Sequence, residues 1–258
     1  MLMISSNMLR TLIFYLMKYM GSKSKIAKYI IPFLIESEPI NIYDLFCGGL
    51  NLSDAINSSD LFAIKYNIYA NDKNKYLIAM WQGLQQDLKR PYEISKELYS
   101  EARTEFNNNT NVNFSDFEIG WIGWTASFNG RFFDGGYNGN YKKRDYTTES
   151  ICNIEKQIVL IKDFNFTSLD YFDVEILPNS VIYCDIPYRN KKQYATSKNF
   201  DYENFYWWCK MKTKQGFKVF ISEYEMPKDF KIVWQKEVTN SMNTNQTYKP
   251  VERLFSCS

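Results

Sequence analysis

The chain contains no histidine. That absence removes the commonest general base and the commonest metal ligand, so neither a Ser-His-Asp hydrolase nor a histidine-zinc enzyme can be built from it. Its cysteines, Cys47, Cys152, Cys184, Cys209 and Cys257, are odd in number and never form a C-x-x-C pair. A disulfide framework and a thiolate zinc site are therefore not indicated, and a reducing cytosol suits the chain. The formal net charge is only +2, too small to require nucleic acid or to exclude it. The apolar run "TLIFYLM" is too short to span a bilayer, and no small-residue cleavage site follows it cleanly. Residues 1–16 are expected to be an N-terminal extension from an upstream start, with Met17 as the alternative initiator. No metal is expected, and carboxylates, aromatics, lysines and backbone groups must carry the chemistry.

What remains is enough for a real core, with 258 residues of which 45% are hydrophobic and 23% charged. "KIAKYIIPFLIES" sets Ile26, Ile30, Phe33 and Leu34 at helical spacing. "NIYDLFCGGL" predicts a short buried strand running into paired glycines, and "NLSDAIN" a helix just after them. A second strand is expected over residues 66–70, ending in Asn71 and Asp72. Strand, glycine turn, helix, strand and terminal acid make a βαβ unit.

From about residue 75 to 150 the texture changes. A mostly helical stretch leads to the polar loop "NNNTNVN", then to "WIGWTASFNGRFFDGGYNGNYKKRDY", rich in glycine, aromatics and basic residues. This reads as an insertion in an α/β core. After it, "ICNIEKQIVLIKDF" predicts a helix and a short strand, "SVIYCD" a buried strand, "YENFYWWCKMKTKQG" an amphipathic helix ended by Gly216, and "FKVFISEY" the next strand. Trp207 and Trp208 are expected to pack against the sheet.

Three pieces carry chemistry. In "DLFCGG", Asp44 ends a strand and Gly48-Gly49 stand where a helix begins, which would let backbone approach a ligand closely, although the G-x-G-x-x-G spacing of a pyrophosphate cradle is missing. A purely structural turn would look the same. Asp72 ends the next strand, where an acid can bind ribose hydroxyls or cap the following helix, two compatible roles. The third piece is "CDIPY". Asp185 should lie at the carboxyl edge of a central strand, with Pro187 biasing Ile186 towards an extended conformation. The Asp185 carboxylate and the Ile186 carbonyl can then be aimed at one exocyclic amine, and Tyr188 offers a flat face for a base.

"CDIPY" resembles the D-P-P-Y motif of amino-group DNA methyltransferases. "KYMGSK" is similar to the K-[YW]-x-G-[GS]-K opening of the Dam-like, adenine-specific branch. "DLFCGG", "NDKN" and "FTSLDY" fall between them in that branch's order, and "ASFNGRFF" and "FKVFISEY" resemble its phage-type members. The resemblance covers residues 17 to 255. It implies a Rossmann-like α/β methyltransferase sheet, with residues 17–74 and 151–258 forming the catalytic domain and 75–150 an inserted, helical and loop-rich target-recognition domain.

By matching position, the resemblance implies that S-adenosylmethionine is held by Tyr19, Lys23, Asp44, Phe46, Gly48, Gly49, Asp72 and Asp185, with Asp170 and Tyr171 lining the site. An adenine flipped out of duplex DNA would stack on Tyr188, with its N6 amine bound by Asp185 and the Ile186 carbonyl within the Asp185-Ile186-Pro187-Tyr188 motif. A bacterial or phage-encoded enzyme acting in the cytoplasm is implied, with a restriction partner and the oligomeric state left open. Ile186 departs from the family's usual first proline, which keeps a weak or inactive DNA-binding relative open as an alternative. An RNA or protein-amide methyltransferase with the same device also stays open. For DNA contact the candidates are Arg131, Lys142, Lys143 and Arg144 in the insertion and Arg189, Lys191 and Lys192 after Tyr188, against a reading as solvated charge. Phe128, Phe132, Phe133 and Tyr137 could wedge between base steps, with hydrophobic packing the expected fate of most.

Overall fold

Apolar runs of four to six residues bounded by turn residues are too short for helices and form the central strands. The computed structural model describes residues 17–19, 21–58, 65–141, 144–189, 199–238 and 250–257. The expectations for residues 1–16 and for Lys142, Lys143, Lys191 and Lys192 lie outside the described residues. The chain divides into two compact units, one of residues 29–47, 62–74 and 164–258, the other of 1–28, 48–61 and 75–163. These units follow packing, and they cut the chain at other places than the functional division expected above.

The first unit is a seven-stranded sheet in the order β5-β2-β1-β6-β7-β9-β8. Its strands are β1 (Asn41–Asp44), β2 (Asn67–Asn71), β5 (Asn165–Thr167), β6 (Ser180–Asp185), β7 (Lys218–Glu223), β8 (Phe230–Glu237) and β9 (Val251–Cys257). The first five in spatial order run parallel, whereas β9 is antiparallel to both β7 and β8. Strands β1 and β6 read as continuous apolar runs because they are buried along their length, as parallel strands covered on both faces must be. The Rossmann-like α/β expectation is met. Strand β1 lies with β2 on one side and β6 on the other, so the strand order reverses there.

Helix α1 (Ala27–Ile35) forms where the spacing of Ile26, Ile30, Phe33 and Leu34 placed it, and helix α7 (Tyr202–Lys214) supplies Phe205, Tyr206, Trp208 and Cys209 to the core formed with Ile182, Cys184, Val219 and Ile221. Each such aliphatic or aromatic side chain contributes roughly 1.5–3 kcal/mol of burial. Trp208 is 3% exposed, as expected, but Trp207 is 53% exposed and stacks on Phe172. The correction follows from helix geometry: successive residues point about 100° apart, so only one of the pair can face the sheet.

The other unit is helical, with α2 (Asn51–Asn57), α3 (Lys75–Gln85), α4 (Lys96–Asn108), α5 (Asp116–Ala126) and α6 (Tyr146–Gln157). A two-stranded ribbon, β3 (Asn140–Tyr141) with β4 (Arg144–Asp145), precedes α6. Helix α5 had no amphipathic signature because it is buried nearly all round. Its start is set by a capping box between Ser115 and Glu118. A Cβ on Gly120 would lie 2.1 Å from the Tyr76 carbonyl oxygen, so only glycine allows α5 this close to α3. Phe132 and Phe133 pack with Phe106, and Tyr137 donates its hydroxyl to the Ile94 carbonyl at 2.7 Å, whereas Phe128 is exposed.

The asparagine-rich loop is anchored by one buried acid. Glu105 accepts the N–H groups of Val112 at 3.0 Å, Asn113 at 2.8 Å and Phe114 at 3.3 Å. Desolvation works to raise this carboxyl, but the hydrogen bonds from Asn113, Phe114 and Val112 outweigh it and hold the value below the usual range. A depressed folded value stabilises above the unfolded value, and the contribution is lost as pH falls through the folded one. Glu105→Gln should therefore melt below the parent at neutral pH, with the difference closing below about pH 4. Thermal unfolding across that range checks it, and a gap independent of pH would contradict it.

Candidate active site

The carboxyl ends of adjacent strands gather acids in the sheet unit. Asp44 closes β1 and Asp185 closes β6; the register pairs Asp44 with Tyr183, so β6 runs two residues farther. The Leu45 N–H donates to the Tyr183 carbonyl at 3.0 Å and locks the two ends together. Asp44 is buried and Asp185 half-buried. Asp72 follows β2 directly, with its N–H on the Thr167 carbonyl at 3.3 Å and its carboxylate accepting the Asn74 N–H at 2.9 Å. It thus shapes the turn before α3.

Asn71 organises this edge. Its amide nitrogen donates to the Leu45 and Leu169 carbonyls, each at 3.1 Å, while Oδ1 accepts the Thr167 hydroxyl at 2.9 Å and the Leu169 N–H at 3.0 Å. Its carbonyl also takes the Cys47 N–H at 2.9 Å. One side chain, 2% exposed, therefore joins the segments after β1 and β5 to the end of β2. Asp170 caps the short turn at Tyr171–Asp173 through the Phe172 N–H and pairs with Lys73 at 2.8 Å. Tyr171 packs among Phe46, Phe200, Phe205 and Trp208, and burial, with Asp170 nearby, pushes its phenol well up.

The four-residue motif leaves β6 in three different environments. Ile186 is 2% exposed within the hydrophobic core, so an aliphatic side chain fills a space there. The Pro187 carbonyl accepts the Tyr202 hydroxyl at 2.8 Å. Tyr188 donates its hydroxyl to Glu252 Oε2 at 2.7 Å and meets Tyr224 edge to face, with centroids 4.6 Å apart. Burial, then the charges of Asp185 and Glu252, push the Tyr188 phenol well above its ordinary value and keep it a neutral donor. Cys184 is equally withheld from nucleophilic chemistry, since burial and the Asp44 and Asp185 charges push its thiol up.

In the helical unit, Tyr19 lies directly on the glycine turn. A Cβ on Gly48 would come 2.7 Å from the Tyr19 ring, and one on Gly49 would come 2.8 Å from Tyr19 Cβ. Gly48 has φ +47° and Leu50, a buried non-glycine residue, φ +59°. Leu50 in that left-handed region stores about 1–3 kcal/mol of strain. Lys23 is buried, its Nζ donating to the Gly21 carbonyl at 3.2 Å.

Of the basic candidates, Arg131 is half-buried and turns the chain by accepting the Asp134 N–H at 2.9 Å on its carbonyl. Arg144 pairs with Glu149 at 2.6 Å, and Glu149 also pairs with Lys18 at 2.9 Å. These cations, Lys18 foremost, hold the Glu149 carboxyl below its usual range. Arg189 is exposed, donates its N–H to Glu223 at 3.1 Å and sets its guanidinium 5.0 Å from the Tyr202 ring centroid.

With acids at the ends of β1 and β6 and the CDIPY segment leaving β6, comparison with known families becomes decisive. The model of the D12 class N6 adenine-specific DNA methyltransferase family matches residues 19–255. The chain belongs to that family. No curated protein matches it. In this D12-class chain, the sheet unit brings together Asp44, Phe46, Asp72, Asp170, Tyr171, Asp185 and Tyr188, while Tyr19, Lys23, Gly48 and Gly49 lie in the helical unit. Among the described residues there is no helix long and apolar enough to cross a membrane and no cluster of three or more metal-ligating side chains.

Sequence reasoning on this methyltransferase missed Asn71 as an anchor, and Glu223, Tyr224 and Glu252 as neighbours of the motif. Asn71 carried a signal, an amide where a strand ends beside an acid. Glu252 carried none, since β9 returns antiparallel from 64 residues beyond Tyr188.

Proposed function

We propose that this D12-class chain transfers a methyl group from S-adenosylmethionine to the N6 amine of an adenine flipped from duplex DNA. The observation that carries this reading is the placement of Asp44 and Asp185 at the carboxyl ends of adjacent strands, with Ile186-Pro187-Tyr188 leaving that edge. The donor set fits the cofactor: carboxylates suit a sulfonium, an ammonium and a ribose diol. When bound, the sulfonium offers an activated methyl with a neutral thioether as leaving group, which removes the need for a covalent enzyme intermediate.

On this reading Asp72 binds the ribose, Asp44 and Phe46 flank the cofactor, and the glycine turn, Tyr19 and Lys23 act on it too. Asp170 and Tyr171 brace the edge. Asp185 and the Ile186 carbonyl accept the two amine hydrogens, which favours a localised nitrogen lone pair as nucleophile, and the one amine proton that the methyl displaces leaves to solvent. Ile186 retains that carbonyl, and its side chain belongs to the core, so the lost proline ring is compatible with activity. Tyr188 stacks on the extruded base, with stacking worth roughly 1–3 kcal/mol against a flipping cost of a few kcal/mol. Its bond to Glu252 fixes the ring in place.

Residues 17–74 and 151–258 are proposed as the catalytic part and 75–150 as the target-recognition insertion. Arg131, Arg144 and Arg189 are proposed to meet DNA phosphates. The Arg144–Glu149 pair is exposed and screened by solvent, so a phosphate can take Arg144 over at little cost. Expression in a methylation-free host, followed by single-molecule mapping of modified bases, tests the function: N6-methyladenine at one short recurring sequence is expected, and unmodified DNA with purified, cofactor-supplied protein would refute it. Tyr188→Ala should abolish the fluorescence rise of 2-aminopurine placed at the target adenine while leaving duplex binding within about threefold. An undiminished rise would remove Tyr188 from base stacking.

A further inference from the structure

We infer that Gln157, the last residue of α6, is a positioning residue for cofactor binding, acting through the glycine turn and the segment that carries Tyr19. The inference rests on the S-adenosylmethionine reading above. The Gln157 side chain is 1% exposed and both ends of its amide are used. Oε1 accepts the Met17 N–H at 2.6 Å, and Nε2 donates to the Gly49 carbonyl at 3.3 Å and to the Asp54 carboxylate on α2. Two pieces of chain far from Gln157 in sequence thus converge on its amide: the segment leading to Tyr19, and the glycine turn with the helix that directly follows it.

The turn needs such a clamp. Gly48 and Leu50 both sit at positive φ, and strained backbone persists only where its surroundings over-determine it. Leu50 precedes α2 without any side-chain cap of its own. Side chains compensate: Trp81 on α3 donates its indole N–H to the Gly48 carbonyl at 3.2 Å, while Gln157 at 3.3 Å and Asn51 at 3.4 Å both donate to the next carbonyl. With both glycine carbonyls held, the orientation of the two peptide planes is set. Tyr19 then packs on those planes at a distance that no side chain on residues 48 or 49 would permit. An amide is the one neutral group that can accept from Met17 and donate to Gly49 and Asp54 at once, since glutamate would lose both donations and set a second carboxylate against Asp54.

Gln157→Met keeps the volume and removes all three bonds. In the 258-residue chain it should weaken S-adenosylhomocysteine binding, read by calorimetry, and raise the KM for S-adenosylmethionine by about tenfold, with kcat at saturating cofactor and the Kd for duplex DNA within about threefold. Gln157→Glu should do the same or more, and adding Asp54→Asn should recover part of the loss by turning a carboxylate pair into an amide–carboxylate pair. Trp81→Phe should shift KM in the same direction. If Gln157→Met fails to fold, the Trp81→Phe and Gln157→Glu/Asp54→Asn variants decide the matter by the same KM-against-kcat comparison. Wild-type binding with unchanged KM in these folded variants, or equal losses in KM, kcat and DNA binding, would overturn the inference while leaving the cofactor reading intact. Wild-type protein that binds neither S-adenosylmethionine nor S-adenosylhomocysteine would overturn the reading itself, and the inference with it.

Discussion

Asp185→Ala is expected to lower methyl transfer by at least about a thousandfold, a loss of about 4 kcal/mol in transition-state stabilisation. The carboxylate stands at the end of β6, beside the end of β1 that carries Asp44, and no histidine exists to substitute for it. Alanine removes one of the two proposed acceptors for the adenine amine and one of the anions facing a cationic cofactor. Asp185 is half-buried at a strand end, and its carboxylate is outside the apolar core that α7 and the central strands form. Duplex binding should persist, since no phosphate contact is assigned to this residue. Asp185→Asn keeps one acceptor oxygen and should fall between the two. Steady-state methylation, thermal melts and a DNA-binding titration on the same preparations separate these effects. Retained methylation in Asp185→Ala would remove the residue from the reaction.

Asn71→Leu is expected to cost about 3–5 kcal/mol of stability, because it deletes the side-chain bonds to Leu45, Leu169 and Thr167 and leaves buried backbone groups without partners. A total of about 5–15 kcal/mol makes that a large fraction. The partial exposure around Leu169 lets water recover some of the loss, which is why the figure stays below the sum of the separate bonds. Asn71→Asp offers a sharper comparison. Its carboxylate would still accept from Thr167 and Leu169, but its second oxygen would face two carbonyls in place of donating to them. Repulsion raises the folded carboxyl value, so stability is present at low pH, where the acid is protonated and donates, and is lost as pH rises through that value. Urea unfolding at pH 4 and pH 7 should show Asn71→Asp gaining relative to the parent on acidification. A pH-independent deficit would mean that the oxygen-to-carbonyl contact does not control the edge.

Much of the sheet was legible because parallel strands announce themselves. "NIYD", "NIYAN", "SVIYCD" and "KVFISE" are short apolar runs bounded by turn residues, and each is a strand. Strands β8 and β9 were not legible. Strand β8 is largely exposed and alternates weakly, so its pairing depends on β9, which returns from farther along the chain. Helix α5 escaped for the opposite reason, since burial on all sides erases the 3.6-residue stripe by which a helix is read.

The sequence by itself determined which chemistry was open: no histidine, acids at strand ends, and an acid-x-proline-tyrosine segment in the order of one enzyme family. These are properties of residue type and local spacing, which need no knowledge of distant contacts. Tertiary structure alone decided that Asn71 ties three strand ends together, that Glu252 holds Tyr188, and that one amide at position 157 secures the turn under Tyr19. Each joins residues separated by 26 to 108 positions. Hydrogen bonds of that reach depend on how the chain returns to itself, and a one-dimensional pattern carries no term for that return.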